Sequence, residues 1–136
     1  MIKYIYILIA LHIPLGTLSQ ELTGEQLLEK AISYHDPNGN WSAFKAALTI
    51  TMSRPDADER TTKVQIDFAK QFYSSSVKQD GNTITSTRKK ETCTLYLNGS
   101  ADISEAMRDS LRLNCDRVKM MRDYYTYLYG LPMKLK

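Results

Sequence analysis

Phe44-Lys45-Ala46-Ala47-Leu48-Thr49-Ile50-Thr51-Met52 alternates. Phe44, Ala46, Leu48, Ile50 and Met52 fall on one side; Lys45, Ala47, Thr49 and Thr51 fall on the other, with Ala43 before them. A period of two marks a strand with one apolar and one mostly polar face. The pattern breaks over residues 54–59, where Pro55 and three acidic side chains stand, and resumes over 60–68. There Thr62, Val64, Ile66 and Phe68 share one face and Thr61, Lys63, Gln65 and Asp67 the other. Residues 72–78 form a third strand. Asp80-Gly81 is a hairpin signal, and 82–89, rich in Thr and Ile, a fourth strand. Residues 93–97 make a fifth, closed by Asn98-Gly99. Five successive strands with short turns predict an antiparallel meander.

Helices are expected on both sides of it. Ahead of the strands, Thr23 and Gln26 stand at capping-box spacing, and Leu27, Leu28, Ala31 and Ile32 form an apolar stripe. Residues 36–40 (Asp-Pro-Asn-Gly-Asn) are a turn, since Pro37 cannot continue a helix. Trp41, the only tryptophan, follows and is expected to anchor that turn against the core or the first helix. Behind the strands, Asp102 and Glu105 have capping spacing for a helix reaching Leu113. Asn114 can cap a second, running to Tyr129 with Val118, Met121, Tyr125 and Leu128 on one side. Gly130 is a natural helix stop and Pro132 the expected break after it. The fold class is therefore α+β: an N-terminal helix, an antiparallel meander of about five strands, and two covering C-terminal helices.

The N-terminus predicts export. Lys3 is followed by an apolar run from Tyr4 to Ile13, then by Pro14, Gly16 and small residues at 17 and 19. That order is a secretory leader, cleaved near Ser19, and the run is too short to span a membrane. No cysteine lies near the cut, so lipidation there is not expected. Cys93 and Cys115 are the only cysteines. An oxidising compartment favours a disulfide between them; two free buried thiols are the alternative. The formal charge of +3 over 136 residues is small and dispersed, which argues against nucleic acid as partner.

Catalytic signatures are missing. Nucleophilic catalysis needs a base beside the nucleophile, and His35 is the one histidine beyond the leader. His35-Asp36 reads as a helix-ending pair, Ser74-Ser75-Ser76 as part of a strand, and residues 56–59 as a solvated hairpin tip rather than a calcium loop. No phosphate-binding glycine loop occurs. No enzyme activity, cofactor or metal is predicted. The unusual feature is the cluster Tyr124, Tyr125, Tyr127 and Tyr129, which reads as packing or as the lining of a ligand cleft.

Tyr34-His35-Asp36-Pro37-Asn38-Gly39-Asn40-Trp41, the Asp80-Gly81 turn and the stretch from Tyr124 to Leu135 together resemble a family of uncharacterised exported proteins from Bacteroidetes. That family is similar in architecture to the outer-membrane lipoprotein-carrier superfamily, a curved antiparallel half-barrel with helices plugging its concave side. Its members continue further, so the resemblance implies that residues 20–136 are the N-terminal part of a single half-barrel domain. It also implies that 131–136 start a further strand.

The function expected on these grounds is that of a periplasmic or outer-membrane-associated binding protein. It would hold a lipid or a lipoprotein acyl chain against a lining of Trp41, Phe44, Leu48, Ile50, Val64, Ile66, Phe68, Met121, Tyr125 and Leu128. The alternative is a structural or interaction module of the cell envelope with a packed core and no ligand.

Overall fold

The computed structural model of the protein describes residues 22–136, so the expected secretory leader lies outside the described residues. Helix α1, Gly24–His35, starts on the expected capping box: Thr23 Oγ1 accepts from the Gln26 N–H at 3.2 Å, and Gln26 Oε1 accepts from the Thr23 N–H at 3.0 Å. Leu28, Ala31 and Ile32 are half-buried, whereas Leu27 is exposed. Asp36 ends the helix. Its two carboxylate oxygens accept from the backbone N–H groups of Asn40 (2.7 Å) and Trp41 (2.9 Å), which winds residues Asn40–Ala43 into a 3-10 turn and sets the direction of the tryptophan.

Five strands follow: β1 Lys45–Arg54, β2 Ala57–Asp67, β3 Phe72–Gln79, β4 Asn82–Lys89 and β5 Thr92–Leu97. They pair in sequence order, each antiparallel to the next, as an open sheet with β1 and β5 at its edges. The break expected over 54–59 is shorter than that. Only Pro55 and Asp56 lie between β1 and β2, because Asp58 and Glu59 sit at an exposed hairpin end where charges remain solvated. Asp80 and Gly81 both have positive φ, 49° and 72°, the twist that a two-residue hairpin needs.

The register defines rows across the helix-covered face. One is Ala46, Ile66, Tyr73, Arg88 and Cys93; the next is Leu48, Val64, Ser75, Ser86 and Leu95; a third is Ile50, Thr62, Val77, Ile84 and Leu97. The opposite face carries Thr49, Lys63, Ser76 and Thr85 in one row and Ala47, Gln65, Ser74, Thr87 and Thr94 in another. A sheet that is apolar on one side and hydroxyl-rich on the other is the antiparallel arrangement with a single solvated face.

The covering helices depart from expectation in two places. Helix α2 is only Glu105–Ser110, capped by Ser104 instead of Asp102, and Arg112 at φ 53° ends it. Ile103 and Leu113 flank this short helix and are buried, while nothing within it is. Helix α3, Cys115–Tyr129, is capped by the Asn114 side chain, which accepts from the Arg117 N–H at 2.8 Å. It lies over β4 and β5 and buries Val118, Tyr125 and Thr126. Residues 131–136 do not start a strand. Leu131–Lys134 form a further short helix, α4, since Pro132 has a φ suited to a first helical turn. Helix α4 packs against α1.

Two details lock the arrangement. Cys93 on β5 and Cys115 at the start of α3 are joined by a disulfide with Cα atoms 6.0 Å apart, within the usual range for such bonds. At the other end of α3, the Trp41 indole rests on Gly130. A Cβ built there would overlap atoms of the indole's six-membered ring. Gly130 has φ −128°, so left-handed freedom is not what this position requires; it requires the space. Trp41 also stacks on Phe44 and Phe68, with centroids 4.8 and 5.0 Å away. The turn motif and the tyrosine-rich motif, distant in sequence, thus meet at one contact.

Candidate functional site

The ten side chains expected to line a lipid cleft divide into three groups. Val64 and Ile66 are fully buried, and Phe44, Leu48, Ile50 and Phe68 pack around them together with Val118, Tyr125 and Met121. Trp41 closes the end of this cluster through its contacts with Phe44, Phe68 and Gly130. Leu128 points away from the sheet and is exposed. Only Met121 and Tyr125 border open space between sheet and helices.

That space is a cleft of about 320 Å³ on the covered face, displaced towards β3, β4 and the connection between α2 and α3. Its floor is Thr62, Tyr73, Ser75, Ser86 and Leu95. Val118, Met121 and Tyr125 of α3 form one wall, and Ser110, Leu111, Arg112, Leu113 and Asn114 form the rim. Arg60 and Asp80 also border it. The disulfide fixes the start of α3 to β5 and so holds that rim in place.

Its chemistry is unlike that of the packed end. Ser75 and Ser86 face each other across β3 and β4 and are buried, with their Oγ atoms 2.7 Å apart in a mutual hydrogen bond. The Tyr73 side chain is 1% exposed, and the Ser75 side chain is the hydrogen-bonding group beside its hydroxyl. The buried Nε of Arg60 has no hydrogen-bond partner among the described residues. Burial pushes the Tyr73 phenol up to about 12; the Ser75 hydroxyl opposes this and Tyr125 adds to it. Burial also raises Tyr125, with the Arg60 charge pulling it back and Tyr124 adding to the rise. Tyr125 therefore stands within electrostatic reach of both Tyr73 and Arg60.

This arrangement gives a stability test. The Tyr73 phenol is neutral in the native state at a pH where an unfolded tyrosine has ionised. Its folded pKa is raised, so the associated stability is present below about pH 10 and is lost as pH rises towards 12. A shift of that size corresponds to roughly 2–3 kcal/mol. Urea midpoints measured between pH 9 and about 12 should fall, and Tyr73→Phe should flatten the slope. An unchanged slope in the variant would mean that another group carries it.

Among the described residues, no histidine borders the serine pair. His35 is exposed, stacked edge-on against Tyr34 at 5.2 Å, and does not border the cleft. Among the described residues, no three His, Cys, Asp or Glu side chains gather as metal ligands. The polar cleft residues were not anticipated, although strand parity carried the signal: Arg60 falls two residues before Thr62, and Ser75 lies between Tyr73 and Val77, all on the inward face.

A second surface stands out on α3. Met120, Tyr124, Tyr127 and Leu128 of α3 are each about half exposed, and Leu131 of the following α4 is exposed too. The spacings of four, three and one place the four α3 side chains along one stripe of that helix. Helix α3 thus has two apolar sides, one on the sheet and one on solvent.

Over residues 3–136 the sequence matches a family described as a family of unknown function, DUF6503. No curated protein and no solved structure matches the chain.

Proposed function

The chain belongs to the DUF6503 family, whose function is unknown, and from that premise we propose that it is an exported, non-enzymatic interaction module of the cell envelope. The half-barrel of the lipoprotein-carrier superfamily remains the architectural comparison for this proposal. The observation that carries the proposal is the solvent-facing stripe of Met120, Tyr124, Tyr127, Leu128 and Leu131. Tyrosine and methionine are enriched at protein interfaces, and an apolar row on the outer side of an already packed helix has no role in this chain's own core. Acyl-chain carriage finds less support. The apolar end of the sheet, which would receive the chain, is occupied by Val64, Ile66, Phe44 and Phe68 packed beneath Tyr125 and Met121.

The test uses a photo-crosslinking residue at Tyr127 or Leu128 in exporting cells, with Lys30 on α1 as the control position. One defined protein adduct should form from 127 and 128 and not from 30. The double variant Tyr127→Lys/Leu128→Glu should abolish the adduct formed from a probe at Tyr124. Its thermal midpoint should barely move, since exposed substitutions usually change stability by less than about 0.5 kcal/mol. Equal labelling from all positions would remove the proposal. So would a stoichiometric lipid found by mass spectrometry on the purified protein, which would restore the carrier reading.

A further inference from the structure

We infer that β1 is a self-association edge: a second copy of the chain pairs with it antiparallel about Thr49, joining two five-stranded sheets into one. This seam is separate from the α3 stripe, and neither depends on the other.

The two edges of the sheet are unequal. An edge strand presents unpaired backbone groups, and native proteins blunt such edges with charges, proline, bulges or brevity. Strand β5 is blunted. It has six residues, and Cys93 ties it to α3. At its end the Leu97 N–H donates to the Ser100 carbonyl at 2.9 Å, and the Leu97 carbonyl accepts from the Ser100 N–H at 3.0 Å. Strand β1 is not blunted. It runs for ten residues, and Ala46 to Ser53 holds neither charge nor proline. Its irregularity lies at the far end, between Met52 and Arg54. Among the described residues, β2 is the element along which it packs.

The free backbone groups are identifiable. Antiparallel pairs alternate between hydrogen-bonded and non-hydrogen-bonded. The Phe44 carbonyl accepts from the Phe68 N–H at 2.9 Å, and the register then runs unbroken from Lys45–Asp67 to Met52–Arg60. Even-numbered residues of β1 therefore turn their N–H and C=O groups to β2. Lys45, Ala47, Thr49 and Thr51 turn theirs outward, and all four are exposed.

These groups match a second copy of themselves. A two-fold axis through Thr49, normal to the sheet, sets Thr49 against Thr49 and Ala47 against Thr51. Each such pair can exchange two backbone bonds. On the covered face the same register sets Leu48 against Ile50 and Ala46 against Met52, whose side chain is 39% exposed in the single chain. On the other face Lys45 falls opposite Ser53 of the second copy. Ser53 Oγ donates to Glu59 Oε2 at 3.4 Å, so Lys45 approaches a carboxylate at each end of the seam. No residue from 45 to 53 meets a like charge directly across it.

The experiment is sedimentation of the full chain, disulfide intact, from micromolar to sub-millimolar concentration. A reversible monomer–dimer equilibrium is expected. Thr49→Glu and Thr49→Lys each place a charge opposite itself on the axis and should each weaken association by about tenfold or more. An equal mixture of the two should regain the dimer, because the charges then oppose correctly. Their thermal midpoints should match the wild type where the wild type is monomeric, since the side chain is exposed there. Thr49→Cys should link two copies on mild oxidation, because a hydrogen-bonded antiparallel pair has Cα atoms about 5.5 Å apart, within disulfide range. Lys63→Cys, on the neighbouring strand, should not. A wild type that stays monomeric throughout, or that forms polydisperse assemblies, would overturn the inference. So would wild-type association in both charge variants, no recovery on mixing them, or equal linking from residues 49 and 63.

Discussion

Replacing Gly130 by alanine should lower the stability of the fold by about 3 kcal/mol, at the upper end of what overpacking costs. The local backbone term points the other way. At φ −128° alanine is unstrained, and Gly→Ala at such a position ordinarily stabilises by about 0.4–1 kcal/mol through the unfolded chain. Steric conflict outweighs that gain because the new methyl would overlap the Trp41 ring. The ring has little room to yield: Phe44 and Phe68 stand 4.8 and 5.0 Å from it, and the Asp36 carboxylate holds its backbone. Trp41→Ala should cost about 3–4 kcal/mol by the opposite route, a cavity. The two changes are coupled, so the double variant should lose less than their sum, a coupling that urea unfolding of all four proteins would measure. A Gly130→Ala protein as stable as wild type would show that the indole can move aside.

The paired variant Cys93→Ala/Cys115→Ala should lose about 3 kcal/mol, from a loop closed over a sequence separation of 22. Alanine avoids placing an unpaired hydroxyl where a half-buried sulfur was. The consequence is also local. The bond holds the first residue of α3 to β5, and the segment between them contains the rim of the cleft. Proteolysis of the variant should therefore cut first between residues 98 and 114, before the strands are touched. Adding reductant to the wild type should reproduce both effects. Equal urea midpoints with and without reductant would mean that packing alone holds α3 in position.

Why the meander was legible and the cleft was not follows from the kind of information each uses. Strand alternation is local, so Phe44 to Met52 and Val64 to Phe68 revealed their faces directly. Capping is local too, and Thr23 with Gln26 and Asn114 with Arg117 behaved as their spacing predicts. Helix α2 was read too long because Asp102 and Ser104 are both competent caps, and only the surrounding turn selects between them. Gly130 does end the helix as expected, and its second role was not legible because a clash with Trp41 is a fact of tertiary structure. The stop signal it does provide is real, and it hid the larger constraint.

The cleft was missed for a different reason. Apolar residues on the inward face were all counted as lining, whereas a sheet face and its helices bury most of such residues against each other. What remains open is where side chains cannot interdigitate. Here that is the row in which Leu48 and Val64 give way to Ser75 and Ser86. Parity alone placed both serines inward, but their meaning depended on their partner across the ladder. Leu128 shows the converse: it shares helical spacing with Val118 and Tyr125, yet the axis of α3 carries it past the sheet.

The contact between Trp41 and Gly130 has a kinetic side. Every strand pairs only with its neighbour in sequence, so the sheet can assemble hairpin by hairpin with short loops to close. The indole and the glycine are separated by about three quarters of the described chain and can meet only after the sheet and α3 are in place. Interactions that form after the folding barrier govern how fast the native state is left, not how fast it is reached. Trp41→Ala should then steepen the loss on the unfolding limb of a chevron and leave the refolding limb almost where it was. That clasp between the turn and the end of α3 would act as a timer on the survival of the native state.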